Sequence, residues 1–221
     1  MRSLALLLCL LPISCICAQS GPRHAAIKQT RPPDRKPQYF PVGLFSQYPE
    51  LSEWITRWYA SELRALEEPS LHRWETRRGA AVYRFLLIPS FSPSLAVRLM
   101  VNPDGTGILV AKSTANSSKE GKAILRQETV AVSVEQVDQF LSLLREADFW
   151  SLPSAKTQLG FDGEEWLMEA KRSGKYHVVD RWSGAMDADY SRACRYLQEL
   201  SPVKAEKRRR LAHQEWTPSP K

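Results

Sequence analysis

Between Glu50 and Glu68 the apolar residues Leu51, Trp54, Ile55, Trp58, Leu63 and Leu66 recur at helical spacing, and Pro69 closes the run. The rhythm predicts an amphipathic helix with an aromatic face. That face packs on a core or, in the alternative, docks a partner. The pattern then changes. "AVYRFLLIP" and "LAVRLMV" are dense in branched and aromatic residues and are punctuated by Pro89 and Pro93, which predicts two strands. "NPDGTG" reads as a turn in which Pro103 presets one dihedral and Gly105 tolerates positive φ, so "GILVAKS" returns as a third strand. "TANSSKEGK" is a polar loop and "AILRQETVAV" a fourth strand. The loop holds Asn116-Ser117-Ser118, a sequon that matters only in a eukaryotic secretory pathway.

Ser133 and Gln136 have the spacing of a capping box, and Val137, Phe140, Leu141 and Leu144 form one face of the helix they open. Phe149, Trp150 and Leu152 are expected to anchor its exit against the sheet. "EEWLMEAKRSGKYHVVDRWS" predicts a second hairpin. Asp187 is placed to cap a last helix that runs to about Leu200. The order of elements implies a single α+β domain over residues 46–200. Its mostly antiparallel sheet of about six strands in hairpins would pack against two or three helices.

The ends of the chain differ from this middle. Met1-Arg2, the apolar run Leu4 to Leu11 and the small residues of "ISCICAQS" have the form of a secretory signal peptide over residues 1–20. The run is shorter than the roughly 20 residues of a spanning helix, and no other segment comes closer. The expected product is exported, periplasmic or secreted, with no transmembrane span in the mature chain. Cys15 in "LPISC" also offers a lipid-anchored form, but the leucine sits one position too far upstream for a good lipobox. Cleavage after Ala18 or Ser20 leaves only Cys194, so no internal disulfide can form and the fold rests on packing. Cys194 itself reads as a small buried residue.

Residues 21–45, with Pro22, Pro32, Pro33, Pro37 and Pro41, read as a basic linker, and residues 201–221 as a basic tail. The formal net charge is +7, yet Tyr39 to Leu200 holds 19 Lys+Arg against 21 Asp+Glu. Positive charge therefore belongs to the flanks, where it suits anionic lipid headgroups or acidic envelope polymers. Nucleic acid is not an expected partner, since no nucleic-acid-binding module is present.

The most charged stretch, Gly160 to Ser183, suggests chemistry at first sight. If "RSG" forms a three-residue loop with Gly174 left-handed, Glu169 falls opposite His177, Glu165 opposite Arg181 and Trp166 opposite Asp180. Glu165 and Glu169 then each face a potential cation, worth about 0.2–1 kcal/mol per pair, and most of the charge is explained without catalysis. A two-residue Ser-Gly loop would instead set Trp166 opposite Arg181. Asp162 and Glu164 stand apart from this pairing, in "GFDGEEW" at the mouth of the hairpin. They are candidates for a glycosidase carboxylate pair, with His177 a further catalytic candidate. Trp150, Trp166 and Trp182, with Asp162 and Arg181, are candidates for stacking on and binding a sugar.

Other templates are missing: no Gly-x-Ser-x-Gly, His-Glu-x-x-His, Cys-x-x-Cys or phosphate loop occurs. His24, His72, His177 and His213 are scattered, so neither a metal nor another cofactor is expected. "YRFLLIPSFSPSLAVRL", "FWSLP", "GFDGEEWLMEA" and "GKYHVVDRWS", in this order, resemble an uncharacterised family of exported bacterial proteins over roughly Val82 to Leu200. The resemblance implies a fold and a location and no catalytic residue. The expected function is a non-enzymatic exported domain that binds another protein, in the manner of an inhibitor or immunity protein, or an envelope component. The alternatives are a glycan-active hydrolase using Asp162 and Glu164 and a passive carbohydrate-binding module.

Overall fold

The computed structural model describes residues 38–115, 124–155 and 162–204. The expected signal peptide, most of the expected linker, the sequon and most of the basic tail lie outside the described residues.

Helix α1 (Pro49–Ala65) is followed by strands β1 (Ala81–Pro89), β2 (Leu95–Val101), β3 (Gly107–Ala115) and β4 (Ile124–Val132). Helix α2 (Val134–Glu146), strands β5 (Glu164–Arg172) and β6 (Lys175–Trp182), and helix α3 (Ala188–Leu200) complete the order. The strands form one antiparallel sheet in the order β4-β3-β2-β1-β5-β6. The expected α+β class with an antiparallel sheet is thus the observed one. Among the described residues, no helix is long and apolar enough to cross a membrane.

Strand β1 explains the layering. It is central, and alternate residues point to opposite faces. Tyr83, Phe85 and Leu87 join Phe140, Tyr190, Cys194 and Leu197 in a core under α2 and α3. Leu86 joins Ala96, Leu167 and Val178 in a second core under α1. Tyr39, Phe40 and Phe45, from the stretch read as linker, complete this second core. The sheet is therefore covered on both faces.

The α1 face carries buried charge as well. Arg84 and Arg98 are direct cross-strand partners on β1 and β2, an arrangement that by itself is destabilising. Glu68 resolves it: its carboxylate accepts from Arg98 Nε at 2.8 Å and Arg84 Nη1 at 3.4 Å and lies 3.3 Å from Lys112 Nζ. On the other side of Arg84, Glu169 accepts from its Nε at 2.8 Å and from the Tyr176 hydroxyl at 2.7 Å. Burial alone would lower the Arg84 pKa, but Glu169 and Glu68 carry it upward.

The end of α1 delivers Glu68 to this place. Glu67 turns left-handed (φ 50), Glu67 N–H donates to Arg64 O, and Glu68 N–H donates to Leu63 O. That pair of bonds is a Schellman stop built without glycine. Lys112 Nζ then donates to Glu67 O at 2.7 Å. Helix α2 ends in the same way at Asp148 (φ 47), with Phe149 N–H bonded to Leu144 O, and drives Phe149 into the core.

Local expectations have mixed outcomes. The capping box at Ser133 and Gln136 is present. Asp187 is the N-cap residue of α3, but its side chain does not cap; its carboxylate accepts from Arg181 Nε at 3.1 Å. The aromatic face of α1 is rotated from the expected one. Ser52, Ile55, Tyr59, Ala60 and Leu63 are buried, whereas Trp54 is 56% exposed. The β5–β6 hairpin takes the second of the two registers expected from the sequence, the two-residue Ser-Gly loop that sets Trp166 opposite Arg181. Arg172 pairs with Lys175 across a two-residue turn whose Ser173 and Gly174 both have positive φ (50° and 77°). Such a turn matches the twist of the strands. Glu169 therefore faces Val178, Glu165 faces Trp182, and His177 faces Ala170. The expected acid–cation pairs do not form.

Replacing Glu68 by Ala leaves Arg84, Arg98 and Lys112 around a single remaining carboxylate. The expected loss is about 3–5 kcal/mol, read as a lowered urea midpoint with unchanged slope. A loss below about 1 kcal/mol would show that these cations find water instead.

Candidate functional site

Strand parity sorts the charged residues of the second hairpin. Trp166, Met168 and Ala170 of β5 turn to the α2/α3 core, and Leu167 turns to the α1 core, with Glu165 and Glu169 of the same parity. Where α1 passes the end of β5, it leaves a cleft of about 360 Å³. Trp58, Ile88, Pro89, Glu165 and Trp182 line it, with Asp162 and Gly163 at one side.

The rim is tightly knit. Ser90 N–H and its hydroxyl both donate to Gly163 O at 2.9 Å, and Gly163 N–H returns a bond to Ser90 Oγ at 3.2 Å. Glu164 N–H donates to Ser183 Oγ at 3.0 Å. The Trp182 indole donates from Nε1 to Asp162 O at 3.1 Å. Two glycines make room for that ring. A Cβ on Gly184 would lie 2.0 Å from Trp182 Cζ3, and one on Gly163 would lie 2.8 Å from its Nε1. Gly163 also has a positive φ of 135°, which other residues rarely adopt. Trp182 is thus a preset, half-buried wall.

Trp58 is fixed from behind. Its ring stacks on Tyr59 at 5.0 Å and 21°, and the Tyr59 hydroxyl donates to Asp180 Oδ1 at 2.6 Å. Burial raises the Asp180 carboxyl from its ordinary 3.8 to about 6, against the lowering pull of Tyr59 and Arg181. Glu165 lies diagonally across the β5–β6 ladder from Asp180. Burial first, and the Asp180 charge second, lift it from 4.5 to about 7. Among the described residues, no cation lines the cleft. Near neutrality Glu165 is present in both forms, so its carboxyl can donate or accept a hydrogen bond.

The residues singled out in the sequence separate into two groups. Asp162, Glu164 and Trp182 lie at the cleft. Asp162 is exposed there, while a Glu164 carboxylate oxygen accepts from Trp166 Nε1 at 3.0 Å. The others belong to the α2/α3 side of the sheet. His177 packs between Phe149 and Trp150, with ring centroids 5.1 and 5.9 Å away, and burial lowers its pKa. Trp150 carries Lys175 Nζ 5.0 Å above its ring. Trp166 is buried edge-on to Phe85, under Arg195. Arg181 is buried over Tyr190, and its Nη1 donates to Pro153 O and Asp180 O. Asp162, Glu164 and His177 therefore do not converge.

Trp58, Tyr59, Glu165 and Asp180 carry the cleft without having been read as a group. The usable signal was strand parity: Glu165 and Trp166 must face opposite sides. Among the described residues, no cluster of three or more His, Cys, Asp or Glu side chains is placed to hold a metal ion. A second groove of about 760 Å³ near Phe40, Val42 and Pro49 is lined also by Gln38, Ser46, Gln47, Glu53 and Thr56. A scan against family models and a search of curated proteins found no match to this chain.

A carboxyl whose pKa is higher in the folded than in the unfolded chain releases stability as pH rises. For Glu165 the loss begins above about 4.5 and is complete above about 7. Glu165→Gln is therefore expected to stabilise the fold by about 1–2 kcal/mol at about pH 8, after allowance for solvent at the half-exposed carboxyl. At about pH 4 the difference should vanish. Thermal melts at both pH values measure it, and an equal effect at both would mean that volume, not charge, matters there.

Proposed function

We propose that this protein is an exported, non-catalytic binding domain whose ligand is a carbohydrate of the bacterial envelope, held in the cleft between Trp58 and Trp182. The observation that carries the reading is the fixed Trp182 indole, set by Gly163, Gly184 and the Asp162 carbonyl before any ligand arrives. Preset aromatic walls lower the cost of binding. The apolar face of a sugar ring stacks on indole while its hydroxyls seek acceptors, and Glu165 and Asp162 supply them at the same cleft. Export is supported by the form of the first twenty or so residues.

The non-catalytic part has its own support. A glycosidase needs two carboxyl groups flanking the scissile bond, one of them protonated. Glu164 is committed to Trp166, Asp180 to Tyr59, and Asp162 stands exposed at the rim. That leaves Glu165 without a carboxylate partner built into the opposite wall.

Titrating the protein with soluble N-acetylglucosamine oligomers should change its tryptophan fluorescence saturably. Trp182→Ala should weaken binding by about tenfold or more. Trp150→Ala, on the other face of the sheet, should leave it unchanged. An unaffected Trp182→Ala would remove the cleft from the reading. Accumulation of shortened oligomers that ceases in Asp162→Asn would overturn the non-catalytic assignment.

A further inference from the structure

We infer that the binding site continues from the cleft along α1 onto Trp54, and that its ligand is an uncharged linear oligosaccharide longer than the cleft itself. The inference rests on the carbohydrate reading above and adds the extent and charge of the ligand.

Trp54 precedes Trp58 by one helical turn, so both rings stand on the same flank of α1. Their centroids lie 5.8 Å apart and their planes differ by 31°. Trp58 packs partly against the α1 core and lines the cleft; Trp54 belongs to neither core and is left 56% exposed. A large apolar ring kept in water beside a cleft is the kind of surface that binding covers. Trp58 is the shared element. It lines the cleft and is also the neighbour of Trp54, so a sugar chain resting on Trp58 and Trp182 has its next apolar platform at Trp54. A single sugar filling the cleft would leave that ring unused.

The platform is also held in place. Trp58 stacks on Tyr59, whose hydroxyl is bonded to Asp180 on the sheet, so the flank of α1 cannot roll without breaking that bond. Charge narrows the ligand further. Asp162, Glu164 and Glu165 line the cleft, and among the described residues no Lys or Arg does. On the exposed flank of α1, Arg57 is paired with Glu53 at 3.6 Å. An anionic polymer such as a uronate or a phosphate-rich chain would meet like charge from these carboxylates. Neutral sugar hydroxyls donate to the same carboxylates without penalty.

Calorimetric titration of the full chain with a disaccharide and a hexasaccharide of N-acetylglucosamine, and with a galacturonic acid hexamer, tests both parts. The neutral hexasaccharide should bind about tenfold or more tighter than the disaccharide. Trp54→Ala should abolish that gain and leave disaccharide affinity intact; because the side chain is exposed, the variant should fold, which its melting curve checks. Trp54→Phe should recover part of the gain. Equal length dependence in wild type and Trp54→Ala overturns the extension, and a galacturonate hexamer that binds as tightly as the neutral one overturns the charge assignment. If wild type binds neither neutral oligomer, the carbohydrate reading itself falls. If it binds both and only Trp54 is indifferent, that reading stands and this inference does not.

Discussion

The Glu68 carboxylate is the contact on which the α1 side of the molecule depends. Arg84 and Arg98 sit directly opposite one another on adjacent strands, and each is at most 8% exposed. Two desolvated guanidiniums in that position cannot be offset by apolar packing. Glu68 reaches both, and Lys112 as well, only because α1 stops one residue earlier in a left-handed turn. The helix is thereby pinned to the sheet at its C-terminal end by charge. At its middle it is held by Tyr59 on Asp180. Between these points lies Trp58, whose place over the cleft is a consequence of both.

The same sheet face treats its carboxyl groups in two ways. Glu68 and Glu169 are fully desolvated and are met by cations. Glu165 and Asp180 are less buried, have no salt-bridge partner among the described residues, and bind protons more tightly, as fully buried Glu169 also does. The first arrangement builds the fold. The second leaves a carboxyl whose charge is unspent, beside two tryptophans and open to solvent, which is why the cleft rather than the ionic cluster is the proposed site.

Much of the architecture was legible because it is local. The Pro103–Gly105 turn, the Ser133–Gln136 box and the alternation along β1 are each set by a few adjacent residues. The β5–β6 register was legible only as the second of two, because a serine with positive φ at Ser173 takes a position that glycine, asparagine or aspartate usually fills. The exit of α2 was legible from Phe149, Trp150 and Leu152, whereas the left-handed stops at Glu67 and Asp148 were not, since both do the work of glycine. The cleft depends on contacts with no local trace: Tyr59 and Asp180 are 121 residues apart, and Ser90 and Gly163 are 73 apart. The aromatic positions of α1 were visible as a stripe, but which ring would be outside followed from how α1 lies on the sheet.

Gly163 and Gly184 have no functional group, yet they bear on what the site could become. Carboxyl groups around the cleft can be exchanged for amides or hydroxyls while its walls keep their shape. A methyl group at either glycine would press on the Trp182 ring and displace it. Descendants of this sequence are therefore free to change the chemistry offered to a ligand, and so its identity, far more readily than the aromatic frame that holds it. Specificity can drift here while shape stays fixed.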